Sequence, residues 1–483
     1  MAVSAKKNCL YNSAYSILNM GLPLVTAPYL ARIIGAEGTG LYAYSFSVAQ
    51  FLILFAKLGL NNYGTREIAK VRSSPDAVNK LFSSLFGLQC CSTALISVVY
   101  AIYAFCFSAE HAIMAMIFLI WVVGTFSDID WFWFGLEDFR RVSIRNITVK
   151  LLSVAGIFLF VKTKSDTPLY ALIMVGGYVC GYMTNWIGLR KRVHILPRYL
   201  LSFKEHVFPC SLLLIPTLAL NVYRSLNRVM LGTMSTMVQT GLFDNGEKIV
   251  YCLSGLIASF GSVMMPKMSK LVAAGDSKGV ENYVSLSLRI MAIMTSMMAF
   301  CLFAVADSLI EILFGAEFAQ SAGILRLSGF ALIAMGIGNV IRMQFIIPNK
   351  IDDIYVKSTL ISSILNVCIN ILLISRLAAL GAAIASLVAE SFVPLYQYFR
   401  LRSRFNYSKA IGMTLPYFVI GLVSSLPALF VQQICGIGVI TLLFQLLVGA
   451  VLFIPLTVLW ARAFDKGLFE FGLSAVRRKG NVH

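Results

Sequence analysis

Charge is scarce in this chain, and acid is scarcest. Only 13% of the 483 residues are Asp, Glu, Lys or Arg, and 22 acids stand against 40 basic residues. Ordinary water-soluble domains carry about 25% charged residues, so that class is excluded. Histidine occurs four times, at 111, 194, 206 and 483, never at the centre of an apolar run. The ten cysteines are scattered without a C-x-x-C pair. They read as small apolar residues rather than a disulfide or metal framework. The patterns G-x-x-x-x-G-K-[ST] and H-E-x-x-H are missing. The first absence removes a P-loop for ATP hydrolysis, and the second removes a zinc protease helix. No catalytic residue, metal ligand or cofactor is expected, and secondary transport fits better than catalysis.

Apolar sequence is what the chain has in quantity, at 58% of residues. Runs bounded by charge or turn residues give fourteen candidate spans, centred near 21, 49, 93, 122, 154, 178, 219, 252, 295, 334, 363, 390, 422 and 449. A helical crossing needs about 20 mostly apolar residues, and these runs supply it. The net charge of +18 invites a nucleic-acid reading, but the basic residues sit in short loops between spans. With the N-terminus inside, the inner segments hold 29 Lys and Arg, and the outer ones hold only Arg32, Lys162, Lys164 and Arg376. That asymmetry is an orientation signal; it puts both termini in the cytoplasm and argues against nucleic acid as a partner. Lys6 and Lys7 precede a long first span with no small-residue cleavage site, so no cleavable signal peptide is expected. The longest polar segments, 61–79, 190–206 and 266–283, are all inner, each long enough for a short amphipathic helix on the membrane surface.

A short repeat suggests how the spans are grouped. Thr39-Gly40-Leu41-Tyr42 matches Thr240-Gly241-Leu242-Phe243 at an offset of about 200 residues. An even number of spans separates the copies, which implies two parallel six-helix halves related by an axis along the membrane normal. The expected fold is therefore an all-α polytopic membrane protein of about 14 transmembrane helices. An N-terminal six-helix lobe covers 1–200, a second covers 201–405, two further helices cover 406–461, and a basic cytoplasmic tail covers 462–483.

Charge inside the spans is the functional signal. The stretch from Pro209 to Pro266 reads as a helical hairpin carrying Arg224 and Arg228 on one helix and Asp244, Glu247 and Lys248 on the other. A turn near Met234 would set Arg224 level with Asp244. Ionisable groups at such depth cost at least ~2.5–3.5 kcal/mol each, so they pair or face water. A structural Arg224–Asp244 pair is one reading; a hairpin forming one wall of a polar cavity accounts better for five charges together. Lys57, Lys150 and Arg342 lie near inner ends, where snorkelling to the interface is the favoured reading. Arg326 begins near the outer side without a local acid, and cavity and interface are both open for it. Asp128 and Asp130 sit in FSDIDWFWFG, where Trp131 and Trp133 resemble an interfacial belt. Glu390 lies mid-span without a basic neighbour on its own helix, which makes it a functional candidate against a protonated, hydrogen-bonded null.

Residues 23–70, PLVTAPYLARIIGAEGTGLYAYSFSVAQFLILFAKLGLNNYGTREIAK, closely resemble the N-terminal signature of Wzx-type oligosaccharide flippases. These form the polysaccharide transporter branch of the superfamily that includes the MATE drug antiporters. The resemblance continues through NRVMLG with TGLFDNGEKI, LFGAEFAQSAGILRLSGF at 313–330 and LGAAIASLVAES at 380–391. It implies a V-shaped, MATE-like pair of lobes in the bacterial inner membrane. It also implies export of undecaprenyl-pyrophosphate-linked repeat units for O-antigen, capsule or exopolysaccharide, alongside membrane lipids, a polymerase and other assembly proteins. The family often has an acid just before the position of Arg228, where this chain has Asn227, which would leave Arg228 less neutralised. A net-basic cavity suits pyrophosphate, because Arg meets phosphate oxygens with bidentate charge-assisted hydrogen bonds. The expected substrate-binding set is Arg224, Arg228, Lys248, Arg326, Arg32 and Lys57. Coupling to H+ or Na+ is assigned first to Glu390, then to Asp244 and Glu247. Two alternatives stay open: a cation-coupled MATE-type antiporter, which should be richer in cavity carboxylates, and a membrane glycosyltransferase or polymerase.

Overall fold

The computed structural model describes residues 5–106, 109–404 and 407–471; for 5–20, 109, 215–217, 219–224 and 407–409 it describes the backbone alone. Every regular element among the described residues is helical. In chain order the α-helices are α1 (Ala5–Lys57), α2 (Leu60–Val71), α3 (Pro75–Cys106), α4 (Ala112–Gly124), α5 (Asp130–Gly135), α6 (Phe139–Phe160), α7 (Thr167–Thr184) and α8 (Lys204–Met234). They continue as α9 (Met237–Ala273), α10 (Ser277–Phe314), α11 (Ser321–Ile341), α12 (Asp352–Leu401), α13 (Tyr407–Gly412), α14 (Leu415–Cys435) and α15 (Val439–Phe464). Eleven described segments are long and apolar enough to cross a membrane. Two of them hold two expected spans each: α1 breaks at Gly35 and α12 at Ala378. The expected seventh span coincides with α8.

The breaks have local causes. Gly35 has φ 69° and ψ −174°, a conformation open mainly to glycine because a Cβ would clash. Gly315, which ends α10 and opens a second Gly-Ala-Glu triplet, has φ 92° and ψ 171°. Gly35 joins two helical stretches with no loop between them, and Gly315 leads through the 3-10 turn Ala316–Phe318 into α11. Ala378 makes its break at φ 47° without that freedom.

The chain forms two compact units, residues 1–244 and 245–483. In the first, α1 is the central element and packs on α3, α4, α6 and α8. One core cluster there joins Phe82, Trp131, Phe132 and Trp133 with Leu60 and Ile68 of α2; another joins Phe118 and Trp121 with Tyr100 and Val175. Trp131 and Trp133 are thus buried core residues, which corrects the interfacial-belt reading. Their indole nitrogens explain the difference: Trp131 Nε1 donates to Gln89 Oε1 at 2.8 Å, and Trp133 Nε1 to the Asn185 carbonyl at 3.2 Å. An internal acceptor replaces the headgroup layer.

Gly40 and Gly241, the glycines of the short repeat, meet within the first unit. A Cβ on Gly40 would lie 1.7 Å from the Met237 carbonyl oxygen, and one on Gly241 would lie 2.0 Å from that of Ala36. The two backbones cross in direct contact, as small residues permit between membrane helices. Gly232 of α8 lies equally close to the Tyr44 ring.

In the second unit α10 is central, packing on α11, α14 and α15, while α11 packs on α12. Arg342–Ile346 forms a π-helical turn at the end of α11. Of the three inner segments expected to hold surface helices, only 61–79 does, as α2. Segment 190–206 has 3-10 turns instead, and 266–283 is filled by α9 and α10 running on to a tight turn at 274–276.

Candidate functional site

The helical hairpin expected around 209–266 is present as α8 and α9, joined by Ser235 and Thr236 alone. Arg228 Nε donates to Asp244 Oδ1 at 2.7 Å across that turn. Asp244 is 6% exposed and Asn227 is fully buried beside it. The expected pairing of Arg224 with Asp244 falls on a side chain outside the described residues. A turn centred past Met234, at Ser235–Thr236, moves the level position on α8 by about three residues, toward Arg228. Arg228 is also neutralised more than Asn227 suggested, since the acid comes from the facing helix rather than from its neighbour.

Further along α9, Lys248 Nζ lies 3.4 Å from Asn245 Oδ1, one turn away, and Glu247 is half-buried. On α11, Arg326 Nη2 pairs with Asp307 of α10, which corrects the expectation that it lacks a local acid. Asp307 also accepts from Gln432 Nε2 of α14 at 2.9 Å, and Gln445 Nε2 of α15 donates to the carbonyls of Ala304 and Ala428 at 2.9 and 3.1 Å. Sequence reading missed Asp307, although matching depths across the turn after Gly315 would have set it opposite Arg326. Glu390 is half-buried on α12, one residue after the Ala389 carbonyl, which accepts from Ser362 Oγ at 2.7 Å. Arg32 is exposed.

Lys57 closes α1 with its ammonium on the buried carboxylate of Asp128. Beside this pair, Arg145 Nη1 and Nη2 clamp both oxygens of Asp130 at 2.7 and 2.9 Å, and Asn185 Nδ2 donates to the same carboxylate at 2.7 Å. The two aspartates are therefore internal ion-pair members and not headgroup-level residues. Their charges were legible, but their partners lie 71 and 15 residues away and leave no periodic trace. Among the described residues no group of His, Cys, Asp and Glu could hold a metal ion.

An all-α chain with eleven described segments long and apolar enough to cross a membrane, and with ion pairs buried among them, is built as a polytopic membrane protein. Residues 5–272 match the model of the family described as polysaccharide biosynthesis protein, which is more than half of the chain. The chain belongs to that family, and it is a transporter rather than an enzyme. It is 24% identical over 406 residues to the "Putative O-antigen transporter" of Escherichia coli (strain K12), covering 81% of this chain and 95% of that protein. Its fold is similar to that of the lipid II flippase MurJ in an inward closed conformation, with TM-score 0.69, 16% identity, and 94% and 99% of the two chains covered. It is also similar in fold to an inward-facing MATE-family multidrug resistance transporter, with TM-score 0.58, 12% identity, and 85% and 96% covered.

Proposed function

We propose that this chain is a flippase that carries undecaprenyl-pyrophosphate-linked oligosaccharide repeat units across the bacterial cytoplasmic membrane, for O-antigen, capsule or exopolysaccharide assembly. The observation that carries the reading is the likeness, over 95% of its length, to an Escherichia coli protein named for O-antigen transport. Both termini are cytoplasmic in this reading, from the loop-charge asymmetry. The carrier's polyprenyl tail stays in lipid while the headgroup crosses through a cationic central cavity by alternating access.

The ion pair at the head of the hairpin supplies a physical mechanism. Asp244 fixes the direction of the Arg228 fork, and a pyrophosphate oxygen is an alternative acceptor of the same chemistry. Transfer of the fork from carboxylate to phosphate leaves a buried carboxylate without its cation. Arg224, Lys248, Arg326, Arg32 and Lys57 are the further cationic contacts of the proposal. Moving one charge through 100 mV supplies about 2.3 kcal/mol, enough to bias a two-state cycle without nucleotide. Glu390 is the first candidate for binding the coupling ion, H+ or Na+, followed by Asp244 and Glu247. A polymerase and other assembly proteins would receive the exported unit.

The test is complementation. A bacterium deleted for its own flippase and supplied with the matching repeat-unit pathway should regain surface polysaccharide when this chain is expressed. Resistance to organic cations without polysaccharide would instead indicate a MATE-type antiporter. Turnover of sugar nucleotides by the purified chain would indicate a glycosyltransferase.

A further inference from the structure

One arginine of the first unit is held in place with no hydrogen-bond acceptor among the described residues. Arg141, in the first turn of α6, stacks its guanidinium on the Trp133 ring, 3.9 Å from the centroid. Gly188 lies nearby: a Cβ there would stand 3.7 and 3.8 Å from the two terminal nitrogens. Gly188 has φ +74° and caps the 3-10 turn at Leu189–Lys191. The Arg141 backbone N–H donates to Asp138, which caps α6. Its guanidinium donates to nothing among the described residues, although it is half-buried.

The surroundings add positive charge. Arg192 and Arg145 both act on Arg141 as like charges, with Asp138 the one opposing group. Arg145 is already neutralised by Asp130. Arg192 is exposed and, among the described residues, makes no ion pair. A stacked, pre-oriented fork with five unused N–H donors beside a second cation matches a phosphate group. The opening N–H groups of α6 add a favourable field.

The site's neighbours identify the carrier of that phosphate. Ile144 on α6, and Met183 and Ile187 at the end of α7, are exposed at 42%, 54% and 68%. These apolar side chains stand next to the basic cluster at the ends of two membrane-spanning helices. Acyl chains would cover them, and basic pockets between helices on the cytoplasmic side take anionic headgroups. We propose that Arg141 and Arg192 form a binding site for the phosphate of an anionic phospholipid in the inner leaflet. The leaflet, but not the site, rests on the orientation given above.

The test uses the full-length chain in a neutral detergent, titrated with phosphatidylglycerol and read by native mass spectrometry. Phosphatidylcholine and inorganic phosphate serve as comparison ligands. Phosphatidylglycerol should bind saturably, and neither comparison ligand should match it. Arg192→Gln, an exposed change that spares the fold, should weaken binding by roughly fivefold or more, and Arg141→Ala by roughly tenfold or more. Arg141→Lys should restore it only in part, because an ammonium lacks the planar fork. Arg402→Ala, an exposed basic residue in the second unit, should leave binding unchanged. Wild-type affinity in both Arg192→Gln and Arg141→Ala, or equal losses with Arg402→Ala, would overturn the site. Equal binding of inorganic phosphate would overturn the lipid as its occupant. The flippase reading is untouched by either result, since no transport is measured.

Discussion

Arg228 and Asp244 face each other across a two-residue turn, the Nε of one 2.7 Å from the Oδ1 of the other. Removing one partner of a buried pair costs about 3–5 kcal/mol, while replacing both with apolar groups is often neutral. A purely structural pair and a substrate-binding pair therefore predict different double mutants. Arg228→Ala and Asp244→Ala should each lower the melting temperature in detergent. The double variant should melt near the wild type and still fail to export polysaccharide. Export by a well-folded double variant would reduce the pair to a staple.

The crossing of Gly40 with Gly241 sets a second test. A methyl group at Gly40 has no space, because a backbone carbonyl lies where it would go. Gly40→Ala should destabilise by about 1–3 kcal/mol, the usual penalty of overpacking. Gly176→Ala on α7 meets nothing within 4 Å and should be neutral or stabilising. Thermal melting of the two variants checks this directly. Similar melting would mean that the helices do not cross in backbone contact.

These glycines also show how far the sequence could be read. The repeated Thr-Gly-Leu-aromatic tetrads were visible as text, but text does not say that the copies touch. Span positions were legible throughout, because 20-residue apolar runs are a physical requirement of the bilayer. The breaks at Gly35 and Ala378 fall between expected spans for the same reason. Pairings across helices were less legible. Arg228 comes level with Asp244 because the turn is centred at Ser235–Thr236 rather than at Met234. Asp307 lies 19 residues from Arg326 on a different helix, so its pairing leaves no local trace in the sequence. Trp131 and Trp133 were read from composition, whereas their burial depends on Gln89 and Asn185 arriving from other helices.

In the first turn of α8, His206 Nδ1 and the Tyr63 hydroxyl lie 2.9 Å apart, joining α2 to α8. Burial lowers the His206 pKa from its usual 6.5, with Glu205 and Glu67 opposing the shift. The folded state thus disfavours the charged ring. This contribution is complete above the unfolded pKa and is lost as pH falls from about 6.5 through the lowered folded value. The wild type should therefore lose more thermal stability between pH 7.5 and 5 than His206→Gln does. Parallel losses in the two proteins would mean that the contact is insensitive to protonation.

The most direct measurement is transport in proteoliposomes containing a fluorescent undecaprenyl-pyrophosphate-linked oligosaccharide, with flipping read by exposure of the headgroup to an external quencher. The wild-type chain should accelerate the exchange of headgroups between leaflets, and an imposed proton or sodium gradient should drive net accumulation on one side. The Arg228→Ala/Asp244→Ala double variant should match protein-free vesicles, and Glu390→Gln should retain exchange while losing its response to the gradient. Headgroup exchange by the wild type no faster than in empty vesicles, with the substrate bound and the protein folded, would contradict the account.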